Sequence, residues 1–144
     1  GEELVRFCYE AGIEVTSLPG PAACITALTL SGLSTRRFCF EGFLPTDKKE
    51  RQVVLERLKK ETRTTVFYEA PHRLLKTLLL LIEAAGEERK VSVCREITKR
   101  HETVFRATLG KLFWYWKESH RGNWMRNSSS PGRVCPLKII WHCI

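Results

Sequence analysis

Between Thr64 and Gly86 the chain reads TTVFYEAPHRLLKTLLLLIEAAG, and few folds accommodate that order of residue types. Thr64 to Tyr68 are all β-branched or aromatic, the composition of a buried strand. A carboxylate, a proline, an imidazole and a guanidinium follow at Glu69, Pro71, His72 and Arg73. Pro71 suits the first turn of a helix, and Leu74, Leu75, Leu78, Leu79 and Ile82 then form one stripe at helical spacing, closed by Gly86. A strand joined to a helix by so short a junction is half of an α/β layer, so an α/β fold is expected.

The rest of the chain repeats that grammar. Apolar positions predict a helix over 3–11 stopped by Gly12, an alternating strand over 13–18, and a small-residue helix over 22–32 after the turn Pro19-Gly20-Pro21. Residues 33–37 lack periodicity and read as a linker between two halves of the molecule. Beyond it, strands are expected over 38–43, 64–68, 91–94 and 103–105. Helices are expected over 47–60, with Thr46 as cap, and over 109–117.

After Gly122 the text changes: GNWMRNSSSPGRVCPLKIIWHCI contains no acid, and no fold is expected of it. The domains expected are therefore 1–34, 35–121 and an atypical tail at 122–144. A shifted reading frame in the coding sequence would account for that break.

Charge narrows the partners. The formal net charge is +8, from 24 lysines and arginines against 16 acids, and Asp47 is the only aspartate. A balance of that sign suits a polyanion such as nucleic acid, or simply a basic soluble surface. Six cysteines stand without a CxxC pair, four of them inside apolar segments, which points to a reducing, cytoplasmic compartment. No apolar run is long enough to span a bilayer, and no membrane partner is expected. The chain opens in mid-helix, without methionine or leader.

Three polar clusters stand where chemistry would be placed. In open α/β sheets ligands sit beyond the carboxyl ends of strands, against the free N–H groups of the next helix. Pro19-Gly20-Pro21 and Glu69-Ala70-Pro71-His72 both have that location; Gly20 admits a close ligand, or else merely makes a tight turn. Glu69 to Arg73 is a costly cluster after a buried strand unless it is used or internally paired. The third, Arg95 to Glu102, puts six ionisable groups in eight positions, as a site or as a solvated turn. His72, His101, His120 and His142 lack zinc spacing, and no metal is expected.

LPGPAA, FCFEGFLP, TTVFYEAPHRLLKTL and VCREITKRHETVFRATLGKL, in that order, resemble the ribosomal RNA small-subunit methyltransferase I family, over about residues 1–121. That family belongs to the tetrapyrrole methylase-like class of S-adenosylmethionine (SAM) enzymes. The resemblance implies a two-domain α/β fold, of which this chain carries the end of the N-terminal domain and most of the C-terminal mixed-sheet domain. It implies 2′-O-methylation of a cytidine in 16S ribosomal RNA, impaired in so short a chain, with SAM bound between the domains. The family's glycine-rich first strand and its closing valine-rich strand have no counterpart here.

By position, the resemblance assigns Pro19, Gly20, Ala22, Ala23, Phe67, Tyr68, Glu69 and Thr98 to the cofactor. Glu69, His72, Arg95, Glu96, Lys99 and Glu102 become candidates for polarising the hydroxyl, and Arg36, Arg37, Arg73, Lys99 and Arg100 for gripping RNA. The expected partners are small-subunit ribosomal RNA or the small ribosomal subunit, and a second copy of the chain as a homodimer. Two other readings stay open: a basic nucleic-acid-binding domain without catalysis, and a related SAM enzyme acting on a small molecule.

Overall fold

The computed structural model describes residues 1–121 and 137–141. Two helices open the chain, α1 (Glu2–Glu10) and α2 (Ala23–Leu30). Then come β1 (Phe38–Phe43), α3 (Lys48–Lys60), β2 (Thr64–Glu69), a single 3₁₀ turn (Pro71–Arg73) and α4 (Leu74–Ala85). β3 (Lys90–Arg95), β4 (Thr103–Thr108), α5 (Leu109–Arg121) and β5 (Leu137–Trp141) complete it. One sheet runs β1-β2-β5-β3-β4, with β1 parallel to β2 and the other pairings antiparallel. The mixed α/β architecture is the one expected.

Period-two alternation assigns the two faces of this sheet. Phe67, Val91 and Val93 point one way, into a core shared with Leu55 and Leu58 of α3, Leu74, Leu78 and Leu81 of α4, and Leu112 and Trp116 of α5. Val66 and Cys94 point the other way, onto Ala27 and Leu28 of α2 and onto Ile97. Helices on both faces are what lets β2 and β3 be buried on both sides.

Several expectations are corrected. Residues 13–18 form no strand: a strand needs a neighbouring strand to take its N–H and C=O groups, no described strand pairs with this segment, and the Ile13 N–H instead donates back to the Cys8 carbonyl at 2.9 Å. Ile13, Val15 and Leu18 are exposed, as are Leu4, Phe7 and Tyr9 of α1. The cap of α3 is Asp47, whose carboxylate accepts from the N–H groups of Lys49 and Glu50 at 2.9 and 3.0 Å, one residue later than Thr46. The buried face of α4 is Leu74, Thr77, Leu78 and Leu81, while Leu79 is exposed. The tail was expected to be without fold, yet Leu137–Trp141 forms the strand between β2 and β3, with five residues in register with β2 and four of them, 138–141, also with β3. Residues 122–136 and 142–144, on which the rest of that expectation falls, lie outside the described residues.

Candidate functional site

The face of the sheet under α2 carries the first group of candidates. Pro19, Gly20 and Ala22 lie in an extended, exposed approach to α2, whose start has no side-chain cap among the described residues. The N–H groups of its first turn are therefore directed at whatever lies beyond Ala22 and Ala23. Tyr68 stands beside this start and interacts with the thiol of Cys24; burial pushes its hydroxyl up from the ordinary pKa, and Cys24 adds to that shift. Phe40 and Phe43 pack on Tyr68 with ring centroids 5.1 and 5.8 Å away, both edge to face.

Those two phenylalanines share a face because β1 is irregular. Phe40 is opposite Val66 and Phe43 is opposite Tyr68, with Glu41 inserted as an extra residue before Gly42. Gly42 takes a φ of 66°, which a side chain would strain. Cys24, Phe40 and Phe43 were not among the residues expected here. Alternation alone puts Phe40 and Phe43 on opposite faces, and only Gly42 hinted otherwise.

Glu69 and Phe67 belong to the opposite face. Phe67 is buried in the core against α4. The Glu69 side chain is 1% exposed and fully engaged: Thr77 donates its hydroxyl at 2.6 Å, the Ala70 N–H donates at 2.8 Å, and Arg73 pairs with it at 3.4 Å. Arg73 also donates to the Leu44 carbonyl at 2.9 Å, tying the end of β1 to the same junction. His72 sits exposed on the 3₁₀ turn. The sequence thus left Glu69 between a site role and a helical-spacing pair; the pair exists, with its carboxylate buried and Arg73 partly exposed.

The third cluster is a built turn between β3 and β4. Glu96 and Thr98 adopt φ of 51° and 64°, left-handed backbone that costs on the order of 1–3 kcal/mol per residue for side chains other than glycine. Thr98 donates its N–H to the Glu102 carboxylate at 2.7 Å and its hydroxyl to the Ile97 carbonyl at 2.6 Å. Lys99 reaches Glu96 at 3.3 Å. Ile97 is 8% exposed and packs beneath α2, so the turn is anchored to the same helix that Tyr68 adjoins. Arg106 of β4 adds a second tie, donating to the carbonyls of Leu30 and Ser31 at the end of α2.

Arg36 and Arg37 are exposed just ahead of β1, and Arg100 is exposed on the turn. Among the described residues no group of three or more His, Cys, Asp or Glu could hold a metal ion. No described helix is long and apolar enough to cross a membrane.

The mixed sheet covered on both faces is a fold shared with solved methyltransferases. The chain superposes on cobalt precorrin-4 methyltransferase with a TM-score of 0.63 at 16% identity, over 98% of this chain and 57% of that one. It superposes on a uroporphyrin-III C-methyltransferase of Thermus thermophilus with a TM-score of 0.54 at 17% identity, over 96% and 55%. Residues 1–112 match the family of Tetrapyrrole (Corrin/Porphyrin) Methylases, and the chain belongs to that family. It is similar to proteins named ribosomal RNA small subunit methyltransferase I: 51% identical to that of Synechocystis sp. over 83% of this chain and 43% of the relative. For that of Escherichia coli O157:H7 the values are 49%, 82% and 41%. The chain thus spans about two fifths of the length of these curated relatives.

Proposed function

We propose that this chain is part of an enzyme that transfers a methyl group from SAM to the 2′-hydroxyl of a cytidine in small-subunit ribosomal RNA. The observation that carries the reading is the 51% identity, over most of the chain, to a protein named for small-subunit ribosomal RNA methylation. The cofactor is proposed because the family is one of methylases and a fold neighbour was solved with S-adenosyl homocysteine. The residues present suit such a group: the uncapped N–H groups of α2 match a carboxylate, Gly20 has nothing within 4 Å of a Cβ position, and Tyr68 offers a ring to a purine. SAM would supply an already activated methyl carbon.

What remains for the protein is alignment of a weakly nucleophilic hydroxyl and removal of its proton. His72, Arg95, Glu96, Lys99 and Glu102 are the groups proposed for that work. Glu69 contributes by holding the β2–α4 junction rigid. Arg36, Arg37, Arg73, Lys99 and Arg100 are proposed to meet RNA phosphates, with Thr98 beside the cofactor. Assembly as a homodimer working in the cytoplasm on the small ribosomal subunit belongs to the same proposal, and sedimentation of the purified chain tests the dimer.

The deciding experiment supplies tritiated SAM and small ribosomal subunits to the chain, and in parallel to the chain joined behind the N-terminal portion of the Escherichia coli O157:H7 relative. Label recovered in 2′-O-methylcytidine after nuclease digestion is the expected result. RNA binding without label in either protein would favour a binding domain without catalysis.

A further inference from the structure

Three aromatic rings on the α2 side of the sheet have no role in the reading above beyond the contact of Tyr68 with the cofactor. Phe40 and Phe43 are 50% and 48% exposed, whereas Cys39 and Gly42 of the same strand are half-buried. β1 is the edge of the sheet, so nothing in the sheet screens them from the side. A pair of large rings left this open costs stability in water, of order 25 cal/mol for each Å² of apolar surface that folding leaves uncovered. The chain nonetheless inserts Glu41 and a left-handed Gly42 to bring the second ring to the same face as the first.

From this geometry we infer that Phe40, Phe43 and Tyr68 form a stacking platform for an unpaired nucleobase of the RNA substrate. The inference rests on the RNA reading above and names the part of that surface that reads a base rather than a phosphate. Phe40 and Phe43 each meet Tyr68 edge to face and are about half exposed, so surface of these two rings remains for a base. Charge complementarity favours a nucleic acid as occupant: Arg36 and Arg37 immediately precede the strand and are exposed, in a chain of net charge +8. Phosphates on guanidinium groups and a base on an adjacent ring is the usual division of labour at single-stranded sites. The platform also adjoins the start of α2 through Tyr68 and Cys24, so a base held there would be close to the proposed methyl donor.

The test uses the full chain and a single-stranded RNA oligonucleotide with one fluorescent cytosine analogue, pyrrolocytosine, whose emission falls on stacking. Emission should fall on binding. Phe40→Leu and Phe43→Leu, which keep apolar bulk but remove the ring, should each weaken binding about tenfold with the salt dependence unchanged. Phe40→Trp should bind as well as the parent, and urea midpoints separate loss of stacking from loss of fold. Unchanged emission, leucine variants binding within twofold of the parent, or no RNA binding by the chain would overturn the platform. Retained, salt-dependent RNA binding in the first two cases would leave the RNA reading standing. Ring-dependent stacking without methyl transfer by the joined protein would sink the methyl-transfer reading and keep the platform.

Discussion

Thr77 donates its hydroxyl to the Glu69 carboxylate across 2.6 Å, a bond that fastens the last residue of β2 to the second turn of α4. It also explains why α4 is turned to bury Thr77 while Leu79 faces water. Removing the carboxylate strands the Thr77 hydroxyl and the Ala70 N–H in a water-poor site and leaves Arg73 without its buried partner. Glu69→Ala should therefore lower unfolding free energy by about 3 kcal/mol, and Glu69→Gln by about half of that, since an amide still accepts one of the bonds. Urea denaturation followed by circular dichroism measures both. A loss under 1 kcal/mol for the alanine variant would contradict this assignment.

Gly42→Ala should cost about 1–2 kcal/mol, the penalty for a side chain in left-handed backbone. A Cβ there meets nothing within 4 Å, so the cost is conformational, not steric crowding. The same variant should disturb the packing of Phe43 on Tyr68, seen as a change in tyrosine fluorescence before any unfolding.

Arg106→Ala should loosen α2 selectively. The guanidinium caps the carbonyls of Leu30 and Ser31, which otherwise end the helix without a partner of opposite charge. Native-state hydrogen exchange should show faster exchange across Ala23–Leu30, with the amides of β2 and β3 unchanged. Uniform acceleration throughout the sheet would mean that the bond supports the whole fold instead.

Acid should act early through Glu61. Hydrogen bonds from the Arg63 side chain and N–H hold its carboxyl down from the ordinary 4.5 to about 2. A carboxyl with a lower pKa when folded stabilises the fold above its unfolded value and loses that contribution as pH falls through the folded one. The difference in stability between the parent and Arg63→Ala should thus be constant near neutrality, shrink below pH 4.5 and be gone near pH 2. A gap that persists at pH 2 would place the role of Arg63 elsewhere. Thermal melts across that range provide the comparison.

Replacing Lys99 and Arg100 together by alanine should weaken RNA binding and flatten the salt slope of log affinity by roughly 1.5 units, from about 0.7 to 0.9 per phosphate contact. Filter binding over a salt series reads the slope. No change would assign the pair to a solvated turn, in which Lys99 pairs with Glu96.

Where a local pattern and its tertiary partner agreed, the sequence was legible. The strand, proline turn and leucine helix from Thr64 to Ala85 are present as elements, because burial and propensity favour the same assignments, although the helix buries a different stripe from the one read. The strand over 13–18 failed for the converse reason: alternation states a preference, and only a neighbouring strand can satisfy it. Leu137–Trp141 was missed because an acid-free, serine-rich text gives no period around four apolar residues and a lysine. The site was half legible. Residue types marked Tyr68, Glu69 and the 95–102 turn, but not which face of the sheet each would occupy. Phe43 could not be assigned at all without the inserted Glu41.

The position of β5 sets an order of events for the growing polypeptide. β1 with β2, and β3 with β4, are each joined by fewer than twenty-five intervening residues, whereas the strand that unites the two pairs comes after both of them, the last of the described strands. Until Leu137–Trp141 has emerged from the ribosome, β2 and β3 each carry an open backbone edge along an apolar ribbon, and such edges invite pairing with other chains. Closing the sheet requires a loop spanning the whole of α5 and beyond, the kind of distant contact that slows folding. Assembly of the described sheet therefore waits on Leu137–Trp141, and chaperone dependence during synthesis should be greatest just before that strand appears.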